Sequence, residues 1–173
     1  LENRIVVWNT QESRDLFANG YFGKPIGIPK PNVNDINVPL ILDLIEGCYL
    51  QEISKIKITK NGKKVSLDTL IKICRKEYHN FDKKFQVYKD FREKGYVINP
   101  GIKFGCDFAV YQKGPGIDHA PYLVQVYNKN DDISSTAVVL AGRLASSVKK
   151  QFILAIPRDK DKIDYLALDW WRA

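Results

Sequence analysis

Apolar positions along this chain change their period several times, and each change marks an element. Residues 4–8 (RIVVW) are β-branched and aromatic, as a short strand is. Thr10 stands where it can cap a short helix running to Ala18, which Asn19-Gly20 then stops. Gly23 to Pro39 holds four prolines and two glycines and predicts a loop or an irregular edge. Leu40, Leu44, Ile45, Cys48 and Tyr49 recur at helical spacing, so 40–52 is expected as a helix with one buried face. Ile53–Thr59 (ISKIKIT) alternates apolar with polar and predicts a strand, closed by Asn61-Gly62. Ser66 caps a helix from Leu67 to about Tyr78, with Leu70, Ile71 and Cys74 on one side.

The composition shifts at the polar junction EYHNFDKK, and the domain boundary is placed at 78–82, with His79 as a solvated linker residue. Beyond it, Asp82–Lys94 predicts a helix with Phe85, Tyr88 and Phe91 inward and Gly95 as a left-handed stop. A short strand (96–98) and the turn Asn99-Pro100-Gly101 lead to two apolar strands, 107–111 and 122–127, around a loop rich in Gly and Pro. After the turn 128–132, Ser134 or Ser135 caps a helix to about Val148. Residues 149–156 read as a buried strand, 157–162 as a charged turn, 163–168 as a last strand, and Trp170-Trp171-Arg172 as an aromatic tail. The fold class is α/β of the mixed kind. A small N-terminal α/β domain, residues 1–80, precedes a C-terminal domain, residues 81–173, whose mixed β-sheet is flanked by helices.

Composition narrows the classes. With 45% hydrophobic and 27% charged residues over 173 positions, the chain can bury a core and is not disordered. No apolar run approaches the ~20 residues of a membrane span, and no signal peptide is read at the start. Cys48, Cys74 and Cys106 are flanked by apolar residues, without zinc spacing or a disulfide framework. A soluble, intracellular protein in a reducing compartment is expected. The net charge of +7 is spread over both halves and is compatible with a nucleic-acid partner.

Candidate chemistry gathers around residues 103–126. A strand–loop–strand unit brings its inner ends together, so Tyr111, at the end of the first strand, and His119, just before the second, are expected to be neighbours. Lys150 begins a later apolar strand that a sheet can carry to the same edge, whereas Lys149 reads as solvated. Such a trio suits RNA cleavage without a metal. A base takes the ribose 2′-hydroxyl proton, an acid protonates the departing 5′-oxygen, and a cation offsets charge on the phosphoryl oxygens. Imidazole exchanges protons near neutrality, and lysine is a compact cation for a phosphoryl group. Tyrosine makes a weak base unless cations favour its anion. A metal-dependent nuclease would need clustered carboxylates. Asp107 could be the first, but the next strand, Gln125-Val126-Tyr127, lacks the Glu or Lys that would complete the set. No Walker-type loop or GxSxG elbow is present.

The segments VYKDFREKGYVINPGIKFGCDFAVY, HAPYLVQV and AGRLASSVKKQFILAI, in this order within residues 81–168, resemble the catalytic domain of archaeal-type tRNA-splicing (tRNA-intron) endonucleases. YFGKPIG, LDLIEGCYL and SLDTLIKIC are similar to that family's N-terminal domain. The resemblance implies metal-independent cleavage with no cofactor, Tyr111 as base, His119 as general acid and Lys150, rather than Lys149, as the transition-state cation. The implied products are a 2′,3′-cyclic phosphate and a 5′-hydroxyl.

It further implies that an unpaired bulge base is clamped between two arginines, matched by Arg143 and Arg172. The substrate would be precursor tRNA folded as a bulge–helix–bulge. The assembly would be a homotetramer or, preferred here, an α2β2 heterotetramer with a related structural subunit, working in the cytoplasm. The family's acidic docking loop corresponds to 158–164, where Asp159, Asp161 and Asp164 are mixed with Lys160 and Lys162. The alternative is a non-catalytic RNA-binding scaffold subunit; the presence of all three matching residues argues against it.

Overall fold

The computed structural model describes residues 4–29, 31–33, 36–147, 149–159 and 162–168. The chain forms two compact units, Leu1–Phe81 and Asp82–Ala173.

The first unit carries a three-stranded antiparallel sheet in the order β1 (Ile5–Val7), β3 (Leu40–Leu42), β2 (Lys24–Pro25). Helix α1 (Thr10–Ala18) follows β1 and is capped by Asn9, not Thr10. The Asn9 side chain accepts from the N–H groups of Gln11 and Glu12. The expected helix over 40–52 divides in two. Leu40–Leu42 is the central strand, and helix α2 (Leu44–Glu52) starts after Asp43, which forms a capping box with Glu46. The strand expected at 53–59 does not form as such. Its alternation is real, since Ile56 packs on the core around Leu42 and Leu50, but a ladder begins only at β4 (Thr59–Lys60), which pairs with β5 (Lys63–Lys64) across Asn61-Gly62. Helix α3 (Leu67–Glu77) takes Ser66 as its cap, and buries Leu70 and Cys74. Cys74 Sγ lies 3.3 Å from Cys48 Sγ, joining α3 to α2; all three cysteines are buried free thiols. His79 is exposed.

Helix α4 (Phe81–Glu93) leads into the second unit, burying Phe85, Tyr88 and Phe91. It ends in a Schellman motif at Gly95 (φ 83°), with Gly95 N–H donating to Arg92 O and Tyr96 N–H to Phe91 O. A five-stranded sheet follows in the order β10 (Lys162–Leu168), β9 (Gln151–Asp159), β8 (Tyr122–Val126), β7 (Phe108–Tyr111), β6 (Val97–Pro100). Only β8 and β9 run parallel, and helix α5 (Ser135–Ser147) is the crossover between them. The sheet is thus mixed, as expected.

Two expected turns are strand in part, and Lys160 and Asp161 of the second lie outside the described residues. Asn99 and Pro100 close β6, and β9 continues through Pro157 to Asp159, with Pro157 opposite Ile163 beside a register shift. A proline is tolerated in a strand next to such an irregularity. Tyr88 of α4 meets Phe108 at 6.1 Å between ring centroids. Ala141 and Leu144 of α5 pack with Ala109, Leu123, Phe152 and Leu154. Phe108 and Ala109 are consecutive in β7, so the two helices cover opposite faces of the sheet.

Candidate active site

The sheet's pairing decides what can meet. β7 runs antiparallel to β8, with Val110 opposite Tyr122, and β8 runs parallel to β9, with Tyr122 opposite Gln151. The end of β7, the start of β8 and the start of β9 therefore lie at one edge of the sheet. Tyr111 is the last residue of β7, His119 stands three residues before β8, and Lys150 immediately precedes β9. The chain reaches Lys150 through Lys149, an exposed residue in left-handed conformation (φ 52°) that turns the corner from α5. The next amide, Gln151 N–H, donates to Pro121 O at 2.8 Å and seals β9 to the β8 entry. The Lys150 ammonium donates to the carbonyl of Ala120 and sits 5.5 Å from the centre of the Phe104 ring.

Tyr111 has the same strand parity as Ala109 and packs against the core on the α5 side, half-buried. His119 is exposed. Between the two lies a loop organised by Asp118, a residue the sequence reading did not single out. Its carboxylate accepts from the backbone N–H groups of Gln112 (3.0 Å), Lys113 (3.0 Å) and Gly114 (2.8 Å). The loop is thereby folded back on its own end, with Pro115 bridging to Asp118.

Burial alone would raise the Asp118 carboxyl, but the N–H groups of Lys113, Gly114 and Gln112 outweigh it and hold it below the ordinary range. The same carboxylate acts on two other groups. Burial, and then Asp118, push the Tyr111 phenol up. Burial pushes the Lys150 ammonium down, and Asp118 opposes that shift. The only signal for Asp118 in the sequence was an acidic residue beside the histidine, just after a Gly-Pro-Gly turn.

Arg143 is exposed on α5. Arg172 lies outside the described residues, as do Trp170, Trp171, Lys160 and Asp161. Asp107, the one carboxylate considered for a metal, is occupied otherwise. It pairs with Lys84 Nζ at 2.7 Å and accepts from Gln125 Nε2 (2.7 Å) and Val126 N–H (2.8 Å). Among the described residues no group of three or more His, Cys, Asp or Glu side chains is arranged to hold a metal ion.

Two family models cover most of the chain. Residues 81–165 match the tRNA intron endonuclease catalytic C-terminal domain, and residues 1–71 match the tRNA intron endonuclease N-terminal domain. The chain belongs to the tRNA intron endonuclease family. Curated relatives agree. A tRNA-splicing endonuclease of Hyperthermus butylicus is 43% identical over 170 residues, covering 96% of this chain and 93% of its own. That of Sulfurisphaera tokodaii is 43% identical over 172 residues, covering 98% and 96%. One from Saccharolobus islandicus is 39% identical over 171 residues, covering 97% and 94%. The family and the class of enzyme, an endonuclease, are those the sequence resemblance implied, and the similar proteins are archaeal. No helix among the described residues is long and apolar enough to cross a membrane.

Proposed function

We propose that this chain is a catalytic subunit that excises introns from precursor tRNA at bulge–helix–bulge sites, without a metal ion. It leaves a 2′,3′-cyclic phosphate and a 5′-hydroxyl. The observation that carries the reading is the junction of β7, β8 and β9, where Tyr111, His119 and Lys150 share one sheet edge and Lys150 is tied to the residue after His119.

In the step envisaged, the ribose 2′-oxygen forms a bond to phosphorus as the bond from phosphorus to the 5′-oxygen breaks. Tyr111 takes the 2′-hydroxyl proton and His119 gives one to the 5′-oxygen, so protons balance. Lys150 offsets the charge on the phosphoryl oxygens. Burial, and then Asp118, push the Tyr111 phenol up in the free protein. Its action as a base therefore depends on a cation drawn close when the phosphate is bound, and Lys150 is a cation at that edge.

Arg143, and Arg172 from the tail, would stack on an unpaired bulge base, as planar guanidinium groups can. Two cleavages at fixed separation need two sites at fixed separation, so the working form is an oligomer. We favour an α2β2 heterotetramer with a related structural subunit over a homotetramer, acting in the cytoplasm.

The test is cleavage of a bulge–helix–bulge RNA in EDTA, with the ends identified and His119→Ala as control. Cyclic-phosphate ends from wild type, lost in the variant, support the reading. Should wild type be silent alone and stay silent with a candidate structural subunit added, the chain is a scaffold instead.

A further inference from the structure

Lys55 to Lys64, KIKITKNGKK, holds five lysines and no acidic residue. The segment belongs to the first unit, whereas Tyr111, His119 and Lys150 belong to the second. All five lysines are exposed, and none makes an ion pair among the described residues.

The segment is built to project rather than to pack. Its base is anchored: Ile56 lies against the core around Leu42 and Leu50, Val65 N–H donates to Ile58 O at 2.9 Å, and Gln51 Nε2 donates to Val65 O at 2.7 Å. Its tip is a tight two-residue turn, Asn61 (φ 51°) and Gly62 (φ 76°), of the kind that matches strand twist in hairpins. In the ladder Lys60 stands directly opposite Lys63, and Thr59 opposite Lys64. Like charges directly opposite each other weaken a hairpin, and among the described residues no ion pair relieves this one. An anion held between the two lysines would.

We propose that the β4–β5 hairpin is a landing surface for the phosphate backbone of RNA, contacted by Lys57, Lys60, Lys63 and Lys64. The proposal rests on the reading that the substrate is precursor tRNA and adds to it a contact region on the first unit. RNA is favoured over an acidic protein because Thr59 to Lys64 contains no apolar side chain to serve as an anchor. Lysine is moreover depleted at protein–protein interfaces, whereas lysine contacts to phosphates supply the sequence-independent part of nucleic-acid affinity.

The experiment compares wild type with the fourfold variant Lys57→Gln, Lys60→Gln, Lys63→Gln, Lys64→Gln. Binding is followed by fluorescence anisotropy over a series of salt concentrations, with a precursor tRNA and with a plain RNA duplex as probes. These side chains are exposed, and thermal melting of the variant checks that it folds. The variant is expected to bind both probes about tenfold more weakly at low salt. Its plot of log affinity against log salt should be shallower by about one for each lysine that sits on a phosphate. The single-turnover cleavage rate at saturating enzyme should stay that of wild type, and the corresponding Lys→Arg variant should bind as wild type does.

Equal affinity and equal slope for wild type and the Gln variant would overturn the proposal. So would unchanged RNA binding with an altered mass of the assembly, which would make the hairpin a protein contact. The plain-duplex arm reads the hairpin even if wild type cleaves nothing, so this failure and that of the proposed activity are told apart.

Discussion

The ammonium of Lys150 donates to the carbonyl oxygen of Ala120, the residue that follows His119. One side chain thus joins the start of β9 to the entry of β8 and holds a positive charge at the backbone that follows the histidine. The two jobs separate by substitution. Lys150→Gln keeps an N–H donor but no charge, and Lys150→Ala keeps neither. If the charge acts on the phosphoryl oxygens, both lose about 10²–10³ in single-turnover rate with little change in RNA affinity. Activity regained by Lys150→Gln would mean that the lysine only braces the loop.

His119 is exposed, so His119→Ala should leave the melting temperature within about 1 °C, as surface changes do. The expected loss in cleavage rate is about 10²–10⁴. An RNA whose 5′-oxygen leaving atom is replaced by sulfur departs without protonation. On that substrate the His119→Ala defect should largely vanish while a Lys150→Ala defect persists. A variant equally slow on both substrates would remove His119 from the acid role.

Tyr111 has a measurable signature in pH. Burial and Asp118 raise its phenol above the ordinary tyrosine value, so the phenolate fraction grows only as pH climbs into the alkaline range. Cleavage under single-turnover conditions should rise with pH from neutrality upward, and Tyr111→Phe should be slow and lack that rise. The sign for stability is opposite. A phenol whose folded value is raised contributes stability that is complete below the unfolded value of about 10 and is lost as pH rises through the folded value. Alkaline melting should therefore be shallower in Tyr111→Phe.

Asp118 closes the loop between Tyr111 and His119 through three backbone N–H groups. Its carboxyl is held low, so this contribution is present above about pH 4, the unfolded aspartate value, and disappears as pH falls through the folded one. Asp118→Ala should raise hydrogen exchange at the amides of Gln112, Lys113 and Gly114 while the amides of β8 stay protected. Cleavage should slow by about tenfold or more, because a loosened loop no longer holds the histidine in register. Unchanged exchange at those three amides would show that the carboxylate does not organise the loop.

What could be read from the chain follows from where the information is local. The pair β7 and β8 shows as two apolar runs around Gly and Pro, α4 as Phe85, Tyr88 and Phe91, and the α3 start as Ser66, because each signal lies within a few residues. Leu40–Leu42 was misread because a short central strand is apolar on both faces and joins the helical spacing of Leu44, Ile45 and Cys48 without a break. The capping box of Asp43 and Glu46 held the boundary. Ile53–Thr59 alternates because Ile56 faces the core, and alternation reports a half-buried extended chain whether or not a partner strand lies beside it. Asp118 was missed for a different reason: its partners are backbone amides, identical in every sequence, and only the loop's geometry brings them to the carboxylate.

Asp107 separates a structural carboxylate from a metal ligand. It sits beside Lys84 Nζ at 2.7 Å, with side-chain exposures of 19% for the lysine and 11% for the aspartate. The same carboxylate takes the Val126 N–H and the Gln125 amide, fastening α4 and the entry to β7 onto the end of β8. Removing it strands a lysine and two N–H donors at once, so Asp107→Ala should cost about 2–4 kcal/mol in denaturant unfolding. Lys84→Ala should cost less, because the carboxylate keeps its other two donors. The double variant should be less unstable than the sum, since the stranded lysine is gone. At a temperature where Asp107→Ala stays folded, its cleavage rate in EDTA should be near that of wild type. A stable but inactive Asp107→Ala whose wild-type parent stops in EDTA would instead make Asp107 a metal ligand and reverse the assignment.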